Sequence, residues 1–203
     1  MKGYVQVPLD SLVRQVGKGQ AQKILSDFSC PLNKDVESFI RDKAIEFDMQ
    51  GISKTHLIFC DKAEELVLIG YYTLANKVFE ISKHTKLSSA WRHRLHRFTT
   101  YNARLNKHEL SAPLIAQLGK NYANQNNLLI RGDELLKLAC DRVQETHRIL
   151  GGKSVFLECE NNTKLIDFYQ KNGFFMFDIR AMDYDERHNS DEYCLAQMIK
   201  YFE

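Results

Sequence analysis

Proline and tryptophan are scarce, with three and one respectively in 203 residues, and no Pro/Gly/Ser-rich tract marks a linker. No segment repeats and none is of low complexity, so one domain over residues 1–203 is expected. The amino-terminal stretch MKGYVQVPLDSLVRQ lacks the apolar core of a signal peptide, and no later run stays apolar long enough to cross a bilayer. These absences predict a cytoplasmic protein without a membrane partner. Five cysteines (Cys30, Cys60, Cys140, Cys159 and Cys194) are an odd number at wide spacings, without a CxxC pair. That argues against a disulfide framework and against a zinc site, and predicts buried, reduced thiols.

Acids are missing from one long segment. Residues 83–108, KHTKLSSAWRHRLHRFTTYNARLNKH, carry Lys83, Lys86, Arg92, Arg94, Arg97, Arg104 and Lys107 and no Asp or Glu, leaving 21 Lys and Arg against 26 acids elsewhere. The formal charge of +2 therefore hides a concentrated basic segment in an otherwise acidic chain, which invites a polyanionic partner. His93 and His96 stand three apart there, a spacing that can present two ligands on one helix face. No carboxylate or cysteine nearby completes a metal site, so a solvated basic face is expected and no metal.

What is present is 44% hydrophobic residues, enough for a substantial core. Residues 33–50 place Val36, Phe39, Ile40, Ala44 and Phe47 at helical spacing, with Gly51 as a stop. Residues 55–60 (THLIFC) and 66–78 (LVLIGYYTLANKV) predict an antiparallel hairpin across 61–65. In the basic segment Leu87, Trp91, Leu95, Phe98 and Leu105 predict a single inserted helix within about 83–110, packed by one face. Then follow a strand at 113–119, an amphipathic helix at 133–150 ended by Gly151-Gly152, a strand at 154–159, a helix at 162–172 stopped by Gly173, and a strand at 193–200. The alternation β-α-β-α-β predicts an α/β fold with a central sheet and helices on its faces.

Neither GxxxxGK[ST] nor GxGxxG occurs. Residues 126–139, NNLLIRGDELLKLA, nevertheless run from a loop through Gly132 into a helix, and that aims free N–H groups and a helix dipole at one point. They could hold a pyrophosphate without a cationic side chain, although Asp133 competes for the same positive end. Equally, Gly132 could do no more than permit a tight turn before a core helix.

Five stretches in order and spacing resemble the GNAT superfamily of acyl-CoA N-acyltransferases: FSC at 28–30, GISKT at 51–55, GYYTLA at 70–75, PLIAQLGKNYA at 113–123 and NNTKLIDFYQKNGF at 161–174. Within it the chain is most similar to the branch containing toxins that acetylate aminoacyl-tRNA. The resemblance implies a mixed central sheet flanked by helices, with acetyl-CoA as acyl donor and no metal. It makes Asn127, Leu128, Leu129, Ile130, Arg131, Gly132 and Asp133 the pyrophosphate loop. The family's inner Gly is here Ile130, and only Gly132 remains of the glycine pattern.

By the same resemblance, backbone N–H groups of Asn121, Tyr122 and Ala123 would polarise the thioester, and Asn162 and Phe168 would lie along the cofactor, Asn162 also capping its helix. Tyr169 matches the general acid. A thiol has a pKa of about 8.5 and a phenol about 10, so a tyrosine can donate or share its proton as sulfur becomes anionic. Read from its neighbours alone, Tyr169 is equally a core aromatic. No carboxylate lies between Pro113 and Asn127 to act as base. Glu158 is the candidate, with a structural salt bridge as the other reading, whereas a weakly basic acceptor needs no dedicated base.

Three functions follow. The first is acetyl transfer to a primary amine in a ternary complex. The second is acetylation of the amino group of aminoacyl-tRNA, with Arg92, Arg94 and Arg97 on the nucleic acid and an antitoxin partner. The third is a non-catalytic binding module with a degenerate loop. The chain could also pair as a homodimer.

Overall fold

The computed structural model describes residues 3–62, 64–81, 85, 87–183 and 194–203. Lys83, Lys86 and the first residue of the strand expected at 193–200 lie outside them. Two compact units emerge, one of Met1–Ala75 with Ile115–Asp141, the other of Asn76–Leu114 with Arg142–Glu203.

In the first unit β1 (Tyr4–Pro8) pairs antiparallel with β2 (Lys54–Lys62), and β2 with β3 (Glu65–Ile81). Next in strand order comes β5 (Lys107–Lys120). The β2–β3 hairpin is the one the sequence predicts. Helices α1 (Leu9–Val16) and α2 (Lys18–Ser26), absent from the sequence reading, are separated by Gly17 at φ +81°.

The helix expected at 33–50 is present but not uniform. Asn33 caps it by accepting from the Val36 N–H at 3.0 Å. Between α3 (Lys34–Ser38) and α4 (Ala44–Met49) runs a π turn, Phe39–Lys43. The wider turn leaves Phe39, Ile40, Ala44 and Ile45 all buried against Leu57, Leu68 and Tyr71. At its far end the buried Asp48 accepts from Lys54 Nζ at 2.9 Å and the Thr55 N–H at 2.8 Å, fixing the entry to β2. Gly119 on β5 is required by contact. A Cβ there would sit 2.4 Å from Val36 Cγ1.

The second unit holds the ends of β3 and β5 with β6 (Ser154–Glu160), β8 (Cys194–Tyr201) and β7 (Phe175–Ala181) in that spatial order. Strands β5 and β6 are parallel, whereas β6–β8 and β7–β8 are antiparallel. The sheet is therefore mixed, as expected. Strand β7 went unread because FMFDIRA follows a helix stop with no turn signal between. Helix α6 (Gly132–Leu150) ends at Gly151 and Gly152, both at positive φ, and α7 (Thr163–Lys171) ends before Gly173 at φ +84°. These helices flank the strands and give an α/β fold.

The basic segment differs from the single helix expected over 83–110. Helix α5 spans only Ser89–His96, capped by Ser88 Oγ, which accepts from the Trp91 N–H at 3.3 Å. It packs through the buried Leu95 and through Trp91, whose ring stacks on Phe175 at 5.5 Å. Beyond it β4 (Thr99–Asn102) pairs antiparallel with β5 through a turn containing Asn106 at φ +52°. Consecutive Thr99, Thr100 and Tyr101 favour an extended chain. Phe98 and Leu105, which fitted the helical spacing, are 37% and 48% exposed, so their periodicity was accidental.

Candidate active site

The candidate pyrophosphate loop belongs to the first unit. From the end of β5 the chain makes a short 3-10 segment, Ala123–Leu128, kinked where Asn124 and Gln125 take left-handed φ of +52° and +60°, and then enters α6 at Gly132. Ile130 is not an obstruction on the surface of this loop, because its side chain is buried, 2% exposed. Leu128 is exposed instead. Arg131 is the N-cap: its N–H donates to the Glu134 carboxylate at 2.8 Å and its guanidinium holds Asp133 at 2.9 and 3.0 Å. Arg131 keeps the Asp133 carboxyl below its ordinary range, and the same backbone N–H does so for Glu134. The two acids at the positive end of α6 are thus already partnered.

The strand-end N–H groups expected to polarise a thioester are engaged. Asn121 N–H donates to the Ile69 carbonyl at 2.8 Å, Tyr122 N–H to the Ser29 carbonyl at 2.7 Å, and Ala123 N–H to Asn121 Oδ1 at 3.0 Å. Asn121 and Tyr122 hold the end of β5 to its surroundings, Ala123 closes a local turn on Asn121, and none offers a free backbone donor. Asn121 Nδ2 and Asn126 Nδ2 converge on the Leu68 carbonyl at 2.9 and 3.3 Å.

Tyr169 lies on α7 in the second unit. Asn162 caps that helix as expected, accepting from the Lys164 N–H at 2.9 Å. The half-buried Tyr169 ring meets Phe168 at 5.0 Å and Phe174 at 5.8 Å, edge on. Among the described residues its hydroxyl has no hydrogen-bond partner. Burial, with the Cys159 thiol beside it, pushes its phenol well above the ordinary value. The group stays protonated at physiological pH, and only its donor role is available.

Glu158, the candidate base, sits in a different setting. Its carboxylate accepts from Arg180 Nε and Nη2, both at 2.7 Å, from Gln197 Nε2 at 2.9 Å and from Lys77 Nζ at 3.5 Å. Burial raises its pKa, but the Arg180 and Gln197 hydrogen bonds and the Lys77 charge outweigh burial and leave it below the ordinary range. A carboxylate so held is a poor proton acceptor, and the geometry favours the salt-bridge reading. Arg180 and Gln197 carried no local signal in the sequence, since strands β7 and β8 bring them to Glu158 only in space.

In the basic segment the three expected nucleic-acid contacts differ in setting. Arg92 donates to the Leu87 and Thr85 carbonyls at 3.1 and 3.2 Å and braces the chain before α5. Arg94 lies over Trp91 and Tyr201, 6.0 and 5.8 Å from the ring centroids. Arg97 is exposed, and among the described residues neither it nor Arg104 has an ion-pair partner. Lys107 is paired with Glu80. Among the described residues no group of three or more His, Cys, Asp and Glu side chains is placed to hold a metal, and no helix is long and apolar enough to cross a membrane.

No protein-family model matches the chain, and no curated protein matches its sequence. Solved structures do match. AtaT complexed with acetyl-methionyl-tRNAfMet is 16% identical, with a TM-score of 0.62 over 96% of this chain and 94% of that one. A tyrosine-to-phenylalanine mutant of KacT is 14% identical, with a TM-score of 0.62 over 97% and 94%. A tyrosine-to-phenylalanine mutant of the AtaT toxin, bound to the C-terminus of the antitoxin AtaR and acetyl-CoA, is 17% identical, with a TM-score of 0.52 over 85% and 83%. The chain has the fold of these toxins, the GNAT fold that its sequence resembles.

Proposed function

We propose that the protein is an acetyl-CoA-dependent N-acetyltransferase, a single GNAT-like domain that passes an acetyl group directly to a primary amine in a ternary complex. The observation that carries this reading is the passage from β5 through a fixed loop into the 19-residue helix α6, in a fold that AtaT uses while bound to acetyl-CoA. Acetyl-CoA supplies the thioester. The chain supplies N–H donors at the opening of α6 for the pyrophosphate, with Asn127, Leu128, Leu129, Ile130, Arg131, Gly132 and Asp133 around it. Asn162, the N-cap of α7, and Phe168, beside Tyr169 on that helix, would lie along the pantetheine arm.

Transfer forms a C–N bond and breaks a C–S bond. As the bond to sulfur breaks, Tyr169 O–H donates a hydrogen bond to the developing thiolate. Because this phenol is a weaker acid than a thiol, the proton is shared rather than surrendered. The amine's proton passes to water, since Glu158 is committed to Arg180. An α-amine with pKa near 8 is partly neutral at physiological pH, so it needs no dedicated base. Tyr169→Phe should leave acetyl-CoA affinity within about twofold and lower turnover about 10²-fold or more. Wild-type protein that gives no heat on titration with millimolar acetyl-CoA would sink the enzyme reading and leave the non-catalytic module.

A second, narrower reading is acetylation of aminoacyl-tRNA in the cytoplasm, with an antitoxin as partner. Exposed Arg97 and Arg104, without carboxylate partners among the described residues, favour it, as does AtaT in complex with an acetylated aminoacyl-tRNA. Labelled acetyl-CoA incubated with bulk charged tRNA tests it, and label confined to small amines would count against it.

A further inference from the structure

The loop before α6 lacks the glycines that would let its backbone face an anion unaided, yet three side chains from outside it hold it. Lys62 Nζ, at the end of β2, donates to the Asn124 carbonyl at 2.8 Å and to Asn126 Oδ1 at 3.0 Å. Lys120 Nζ, at the end of β5, donates to the Asn127 carbonyl at 3.1 Å. The single O–H proton of Tyr4, on β1, is shared between the Leu129 carbonyl at 3.3 Å and Glu134 Oε2 at 3.2 Å. All three clamps and the loop lie within the first unit.

The consequence follows from peptide geometry. In a trans peptide the carbonyl of one residue and the N–H of the next point in opposite directions. Drawing the Leu129 carbonyl to Tyr4 therefore turns the Ile130 N–H the other way, and among the described residues that N–H has no acceptor. Gly132, in the first turn of α6, has an N–H without an intrahelical acceptor, whereas the Asp133 N–H faces its own carboxylate. Carbonyl oxygens facing an anion would repel it, and the carbonyls of Asn124, Asn127 and Leu129 are each tied to a donor. Tyr4 also takes up a lone pair of Glu134, an acid at the positive end of the helix. The buried Ile130 side chain completes the arrangement as an anchor that a glycine could not provide.

We infer that Tyr4, Lys62 and Lys120 are positioning residues for the donor loop, substituting side-chain clamps for the missing glycines so that its N–H groups meet the pyrophosphate of the acyl donor. This inference rests on the acetyl-CoA reading above. The two lysines could alternatively attract phosphate by charge alone; Tyr4 has no charge and separates these causes.

The test is calorimetric titration of full-length wild type, Tyr4→Phe, Lys62→Met, Lys62→Arg and Lys120→Met with acetyl-CoA, with thermal unfolding of each protein alone. Loss of one such hydrogen bond to a loop carbonyl should raise the dissociation constant about tenfold for Tyr4→Phe and for Lys62→Met. Lys62→Arg should restore most of the affinity, and kcat at saturating acetyl-CoA should stay near wild type. Wild type that binds while all the variants bind equally well would overturn the clamp alone. A loss confined to the lysine variants, with Tyr4→Phe unaffected, would overturn positioning in favour of charge. Wild type that does not bind acetyl-CoA would overturn the donor reading and the clamp together. Lys120→Met keeps the question open to refutation should Lys62→Met unfold.

Discussion

Glu158→Gln separates the two readings of that residue. In the folded protein the carboxylate accepts two hydrogen bonds from Arg180 at 2.7 Å and one from Gln197 at 2.9 Å, and its side chain is 11% exposed. A glutamine of the same shape keeps one carbonyl acceptor, turns an amide toward donors it cannot satisfy, and removes the charge opposite a largely buried guanidinium. Hydrogen bonds to charged groups contribute about 1.5–3 kcal/mol each, and stranding one member of a buried pair is costly, so a loss of about 3 kcal/mol is expected. For a chain of this size that corresponds to a fall in Tm of roughly 6–12 °C. The pH dependence has a definite sign. A carboxyl held below its ordinary value stabilises the fold fully above the unfolded-state pKa, about 4.3, and that stabilisation is lost as pH falls through the lower folded-state value. Wild type and variant should therefore differ most near neutrality and converge in acid. Urea unfolding between pH 2.5 and 7, with kcat measured across pH 6–9, checks both halves. An unchanged Tm with a collapsed kcat and a lost acidic limb would return Glu158 to the role of base and refute the reasoning.

Other expectations are simpler. Because the Tyr169 phenol is pushed up, the wild-type kcat–pH profile should show no basic limb from this residue below about pH 10, and a limb near 9 that vanishes in Tyr169→Phe would contradict the assignment. If charged tRNA binds the exposed arginines, Arg97→Ala and Arg104→Ala should each lower the slope of log K against log salt by about 0.7–0.9, read by filter binding at several ionic strengths. Gly119→Ala forces a methyl to 2.4 Å from Val36 and should cost about 1–3 kcal/mol by urea unfolding. Asn162→Ala removes the cap of α7 and should cost about 1 kcal/mol in the same assay.

The sequence conveyed the elements whose signals are local. The hairpin of β2 and β3, helix α6 with its glycine stop, and α7 between Asn162 and Gly173 all follow from periodicity and caps. Failure came where sparse periodicity met extended backbone. Phe98 and Leu105 happen to fall at helical intervals, but the threonines between them belong to β4. The site was legible in the same uneven way. Tyr169 and the α6 opening, the two proposed elements of the site, lie on helices that consecutive residues mark. The pairing of Glu158 with Arg180, and the consumption of the Asn121, Tyr122 and Ala123 N–H groups, depend on partners far away in sequence. Neither composition nor spacing encodes which donor reaches which acceptor across a sheet.

The π turn at Phe39–Lys43 has a consequence for how this chain tolerates change. A regular helix advances about 100° per residue, so a π turn is in effect one residue more than an α-helix would use to cover the same rise. Deleting a residue among 41–43 would not shorten an exposed loop. It would convert the π turn into regular α-helix and leave the residues after it in phase, so that Asp48 still reaches Lys54 and Thr55 at the start of β2. Length at this point is thus under looser constraint than in the regular helix on either side: the π turn can lose one residue and keep the path of the chain, whereas a residue removed from α4 before Asp48 would rotate that carboxylate away from its partners by about 100°.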